Sequence, residues 1–268
     1  MNRRFPDLAI GPLTAGLLFA SAQSGIAADP VLSLKTRGEV TQRFVLLKPE
    51  KPVAAVILFA GGPGKVPLDK LTPGQFVNRG NFLVRTRYEF RRHGFMVAIV
   101  DAPSDRQDQN GMLGSFRGSD EHAQDIAAVI DYLKAPADLP VWLVGTSRGT
   151  ESAAALATKL GSRISGVVLT ATMSMRNRQG FSVFEFPLKT IRVPALVVSH
   201  KDDGCHATPP SQAEWIAGAM TNSPRKKVLI VEGGDPPKSD PCEALSQHGF
   251  LGIEKQVVAA IAAFIKGP

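Results

Sequence analysis

The apolar positions of this chain fall into short continuous runs rather than strict alternation. TQRFVLL (41–47), VAAVILF (53–59), FMVAIV (95–100), VWLV (141–144), SGVVLT (165–170), PALVVS (194–199) and KKVLIV (226–231) are rich in Val, Leu and Ile. Consecutive apolar positions over so few residues suit strands buried on both faces. Between these runs the period shifts to that of a helix. In SDEHAQDIAAVIDYLKA (119–135), Ile126, Val129, Ile130 and Leu133 share one face, with Ser119 or Asp120 placed to cap the start. SRGTESAAALATKLG (147–161) closes on Gly161, a C-cap residue, and PSQAEWIAGAM (210–220) and IEKQVVAAIAAFIKG (253–267) complete the helical set.

Strands alternating with helices predict a mostly parallel central sheet with helices on both faces, a three-layer α/β/α sandwich. The stretch 171–193 contains Pro187 and is too short for a lid domain, and no repeat or low-complexity tract intervenes. One domain spanning residues 29–268 is expected.

The first 28 residues follow a different pattern. Arg3 and Arg4 precede an apolar stretch from Leu8 to Ala20, and Ala20-Ser21-Ala22 fits a cleavage site, with Ala27 or Ala28 as a second option. This arrangement reads as a secretory signal peptide; the rival reading is an uncleaved anchor. The mature protein is expected to be soluble, secreted or periplasmic, with no stable membrane insertion after signal removal.

The formal net charge of +7 is mild for 268 residues. Basic residues cluster once, as Arg85, Arg87, Arg91 and Arg92 in RTRYEFRRHG. That cluster is expected to be the solvated face of an amphipathic helix whose Phe82, Leu83, Tyr88 and Phe90 cover the core. No nucleic-acid motif accompanies it, so no nucleic-acid partner is expected.

Ligands of an open parallel sheet bind beyond the carboxyl ends of its strands, so candidate chemistry is sought just after each run. After 141–144 comes Gly145-Thr146-Ser147-Arg148-Gly149. A strand entering a helix through so sharp a turn needs glycines at its flanks, where a β-carbon would clash, and it leaves the Arg148 N–H free for a developing oxyanion. A serine hydroxyl also needs a base oriented by a third group. After 194–199, HKDDGCHATPP offers Asp203, with Asp202 as the alternative acid. After 226–231, EGGDPPKSDPCEALSQHGF ends in His248. His93 and His122 lie on predicted helices as surface or packing residues. His200 and His206 stand too close to the acid in sequence to partner it and are expected at most to line the pocket.

With GTSRG at 145–149, SHKDD at 199–203 and SQHGF at 246–250, the chain resembles the α/β-hydrolase fold family over roughly residues 40–267. The likeness is to esterase-like and dienelactone-hydrolase-like members without a cap domain. It implies a serine hydrolase cleaving an ester or related acyl bond through an acyl-enzyme, with Ser147 as nucleophile, His248 as base and Asp203 as acid. The family's acid usually follows a Gly-x-x-Asp spacing, which selects Asp203; His200 in the glycine position keeps Asp202 open. The resemblance also implies an oxyanion donor in LFAGGPGK (58–65), at Gly62 beside Gly61, although the family's histidine before these glycines is Ala60 here. A plain turn is the rival reading of those glycines.

A small-molecule acyl substrate and no metal or organic cofactor are expected. Cys205 and Cys242 form an even pair, expected as a disulfide that pins the acid loop to the histidine loop. The rival is a metal site of Cys205, His206 and Cys242. The polar loop 101–118, with Arg106 and Arg117, is expected to be solvated; if it borders the pocket it favours anionic substrates. The alternative from another class is a non-catalytic hydrolase fold that binds a ligand or partner.

Overall fold

A computed structural model describes residues 1–2, 29–71, 80–176 and 181–267. Apart from Met1 and Asn2, the expected signal peptide lies outside the described residues. The strands are β1 (Val31–Arg37), β2 (Val40–Leu47), β3 (Ala54–Phe59), β4 (Phe95–Val100), β5 (Val141–Ser147), β6 (Gly166–Thr172), β7 (Ala195–His200) and β8 (Lys226–Val231). The helices are α1 (Phe82–Arg85), α2 (Arg87–Arg92), α3 (Asp120–Lys134), α4 (Gly149–Leu160), α5 (Ala213–Ala219) and α6 (Glu254–Lys266). The strands form one sheet in the order β1-β2-β4-β3-β5-β6-β7-β8, antiparallel at β1–β2–β4 and parallel from β4 onward.

Pleating sends alternate residues of each central strand into two separate cores, which is why the runs read as continuously apolar. Ala55, Ile57 and Phe59 of β3 join Ile126 and Ile130 of α3, Leu156 of α4 and Ile216 of α5. Ala54, Val56 and Leu58 turn the other way, to Phe82 of α1, Phe90 of α2 and Val257 and Ile261 of α6. Ser119 caps α3 by accepting from the His122 N–H, and Gly161 ends α4. All seven expected strands are present. The additional one, β1, is an edge strand with a single neighbour; its apolar Val31, Leu32 and Leu34 are interrupted by Ser33 and Lys35, so no apolar run marks it.

The arginine cluster departs from expectation. The segment is not one helix but two short ones meeting at Thr86, whose hydroxyl donates back to the Phe82 carbonyl. Two guanidiniums thereby turn inward. Arg87 is buried against Asp29, Nε to Oδ2 2.7 Å, and Arg85 is buried against Glu254, Nη2 to Oε1 3.0 Å. Only Arg91 and Arg92 face solvent as the amphipathic reading requires.

Of the two roles expected for His122, surface or packing, the structure shows packing, and the residue carries a pH dependence. Its ring lies between Phe59, which it meets edge-on, and Phe116, which it meets at a tilt, and neither ring nitrogen has a hydrogen-bond partner. Burial, reinforced by the charges of Arg117 and Arg37, pushes its pKa from about 6.5 down to about 3. Between those values the unfolded chain binds the proton and the folded chain does not, so stability falls as pH drops from 6.5 toward 3. Chemical denaturation at pH 7 and pH 4 should show His122→Leu losing less stability on acidification than the wild type. Parallel losses in the two proteins would contradict this role for His122.

Candidate active site

The carboxyl end of β5 runs into α4 through a single residue of unusual conformation. Ser147 has φ 52°, in the left-handed region, and the β5–β6 register shifts between Thr146 and Ser147. The turn is feasible because of its two glycines. A β-carbon on Gly145 would stand 2.4 Å from the Gly149 carbonyl oxygen, and one on Gly149 would stand 2.0 Å from that of Phe59. Thr150 locks the bend: its hydroxyl donates to the Ser147 carbonyl at 2.6 Å and accepts from the Met173 N–H at 3.1 Å. Ser147 is left half-exposed on the wall of a cavity of about 680 Å³, which Gly62, Arg148, His206 and His248 also line.

The acid and the histidine meet on the other side of that cavity. Asp203 follows β7 in a turn where its own N–H donates to the His200 carbonyl at 3.1 Å. Its carboxylate is buried and takes three donors: the Cys205 N–H on Oδ1 at 2.9 Å, and the Thr208 hydroxyl at 2.8 Å and His248 Nδ1 at 3.1 Å on Oδ2. A carboxylate so surrounded can only accept, so the neutral imidazole carries its proton on Nδ1 and leaves Nε2 as the acceptor. His248 sits in a short turn that Ser246 caps through the His248 N–H, and Gly249 fits there because a β-carbon would lie 1.9 Å from the Ala244 carbonyl oxygen. Asp202, the alternative acid, is exposed.

Two ties fasten the histidine loop, one to the acid loop and one to α1. Cys205 and Cys242 are joined in a disulfide, as expected, linking the Asp203 loop to the loop that ends in His248. Closing a loop of 37 residues contributes about 4 kcal/mol in the chain-entropy picture. The metal alternative loses its thiolates to that bond, although His206 Nδ1 lies 3.7 Å from Cys242 Sγ. Arg85 supplies the second tie, donating to the Gly249 carbonyl from Nη2 while pairing with Glu254. Burial lowers the Arg85 pKa from its ordinary value.

Facing Ser147 is the glycine turn after β3. Gly61 packs so closely that a β-carbon would be 3.0 Å from that of Ser147, and Gly62 has φ 57°. Among the described residues, neither the Gly62 N–H nor the Arg148 N–H meets an acceptor. The Arg148 side chain is half-buried on the cavity wall, its Nη1 closed off from water without a partner, and desolvation lowers its pKa.

Other expectations need correction. His206 lines the cavity, but His200 does not: it is buried, with Nε2 donating to the Gly233 carbonyl at 2.9 Å and Nδ1 accepting the Asp202 N–H. In the loop 101–118, Arg106 is exposed over the Phe116 ring, whereas Arg117 is fully buried. Neither borders the cavity, because both find partners within the protein first. Thr208, on the acid loop, was not singled out by sequence reasoning. A threonine five residues after an aspartate carries no recognisable signal.

No protein-family model matches the chain, and no curated protein does. Solved structures do resemble it. A cold-adapted esterase from an Arctic intertidal metagenomic library, bound to PEG, is 16% identical, with 87% of this chain and 92% of that one covered at a TM-score of 0.59. Dienelactone hydrolase from Anabaena variabilis is 17% identical, covering 89% and 96% at 0.59. Est1E from Butyrivibrio proteoclasticus is 14% identical, covering 88% and 97% at 0.58. Identities this low speak to architecture alone, and together with the strand order and the turn at the end of β5 they show that this chain adopts the α/β-hydrolase fold.

Proposed function

We propose that the protein is an exported serine hydrolase that cleaves an ester or related acyl bond through a Ser147–His248–Asp203 triad. The observation that carries this reading is the cavity itself: a serine on a left-handed turn, an Asp-oriented histidine and two unpartnered backbone N–H groups open into one space. The esterases and hydrolases among its structural relatives support the same class. The disulfide and the signal-like N-terminus support export.

In this mechanism His248 Nε2 takes the Ser147 hydroxyl proton as Oγ bonds to the carbonyl carbon. The resulting oxyanion is held by the N–H groups of Gly62 and Arg148 and by the positive end of α4. Collapse of the tetrahedral intermediate expels the leaving oxygen, which takes the proton back from Nε2. Water then attacks the acyl-enzyme, again giving its proton to His248, and Ser147 leaves reprotonated. Asp203 holds the imidazole and stabilises its cationic form throughout. A non-catalytic binding protein of this fold would have no need of the oriented imidazole.

Arg148 adds a substrate preference. Arg148 lines the cavity beside the nucleophile, and its charge is only partly offset by the nearby buried Glu151, so acyl groups bearing a carboxylate are favoured over neutral ones of the same length.

Hydrolysis of short p-nitrophenyl esters checks the first claim: Ser147→Ala should lower kcat by more than about 10⁴-fold and Asp203→Asn by about 10³–10⁴-fold. An unchanged rate in Ser147→Ala would refute the triad. For the preference, the ratio of kcat/KM on a dicarboxylic half-ester to that on a matched neutral ester should drop about tenfold in Arg148→Met, as expected for one lost charge-assisted hydrogen bond. A ratio that does not move would remove Arg148 from substrate selection.

A further inference from the structure

Arg117, like Arg87, is a full-sized arginine sealed inside the molecule; the buried Glu151 carboxylate acts on its charge from nearby, and its hydrogen bonds go to the glycine turn beside Ser147 and to α4. Its Nη2 donates to the Ala60 carbonyl at 3.2 Å and to the Gly62 carbonyl at 3.0 Å, and its Nη1 donates to Ser152 Oγ, on α4, at 2.7 Å. Gly64 is packed down on the same group, since a β-carbon there would lie 2.8 Å from Nη2. The one remaining carbonyl of the turn, that of Gly61, accepts from the Gly64 N–H at 3.1 Å. Every carbonyl from residue 60 to residue 62 is therefore held.

This matters for the peptide between Gly61 and Gly62. Its C=O is held by Gly64 and the two flanking carbonyls by one rigid guanidinium, so its N–H has a fixed direction despite two adjacent glycines. Ser152 ties the same guanidinium to the helix that begins just after Ser147. We propose that Arg117 is the positioning residue of the oxyanion hole: it fixes the Gly62 N–H relative to Ser147. Bound backbone donors stabilise a developing charge only when their orientation is set beforehand; a planar guanidinium whose Nη2 bridges the two carbonyls while its Nη1 is fixed on Ser152 sets it better than a lysine's freely rotating ammonium. This inference rests on the reading above that the Gly62 N–H receives the oxyanion.

The test separates positioning from mere folding. Wild type, Arg117→Lys and Arg117→Met are compared at equal numbers of active sites, counted by labelling to completion with a fluorophosphonate. Arg117→Met should lose at least about tenfold in kcat, less than the 10²–10³-fold typical of deleting a donor outright, with KM within about threefold of wild type. A trifluoromethyl ketone, which forms an oxyanion on the serine, should bind weaker by a similar factor. A matched ether analogue, which forms none, should bind equally well to all three. Arg117→Lys should fall between, and it carries the test alone if Arg117→Met does not fold. A folded variant whose kcat and ketone affinity stay within twofold of wild type overturns the proposal. Absence of ester hydrolysis in the wild type, together with no labelling of Ser147, would instead overturn the hydrolase reading on which it rests.

Discussion

The structure depends above all on one residue being held where amino acids other than glycine rarely go. Ser147 is a non-glycine at φ 52°, a conformation costing roughly 1–2 kcal/mol that persists only where its surroundings enforce it. The enforcement is visible. β5 is buried along nearly its whole length between β3 and β6, α4 is packed against both strands, and Gly145 and Gly149 remove the only atoms that would keep strand and helix apart. Thr150 closes the bend with two hydrogen bonds. From this one bend follow the half-exposure of the serine hydroxyl, the freedom of the Arg148 N–H and the nearness of Gly61.

Around that bend the loops are fastened by groups that are costly to bury, a cost their hydrogen bonds offset. Arg85 holds the Gly249 carbonyl beside His248, Arg117 holds the carbonyls of Ala60 and Gly62, and Asp203 gathers three donors including the histidine. The disulfide joins the acid loop to the histidine loop. Irregular backbone above a sheet thus gains the fixed geometry that a regular element has by itself. Arg117 also compensates locally for Ala60, since the side chain at that position has nothing with which to hold the turn.

Much of this was legible in the sequence because it follows from periodicity and steric need. Continuous apolar runs marked the central strands, and the Gly-x-Ser-x-Gly spacing marked the bend because a β-carbon at either glycine has no room. An acid at Asp202 or Asp203, His248 and the cysteine pair were readable from their positions after β7 and β8, and the choice of Asp203 came from the family's Gly-x-x-Asp spacing. What escaped was the fate of the charges. Arg85, Arg87 and Arg117 read as solvated because an arginine in sequence shows no sign of the distant group that will receive it; Glu254, Asp29 and Gly62, which respectively receive them, lie 169, 58 and 55 residues away. β1 escaped because an edge strand alternates and is only half-buried, and Thr208 because its role exists only once Asp203 and His248 have come together.

The central claim is that this fold makes the Ser147 hydroxyl a nucleophile, and labelling with a fluorophosphonate tests it most directly. The folded, disulfide-bonded protein should gain one phosphonyl group, mapped by mass spectrometry to the peptide containing Ser147, and denatured protein should gain none. Folded protein that stays unlabelled, or that is labelled at another residue, would contradict the account.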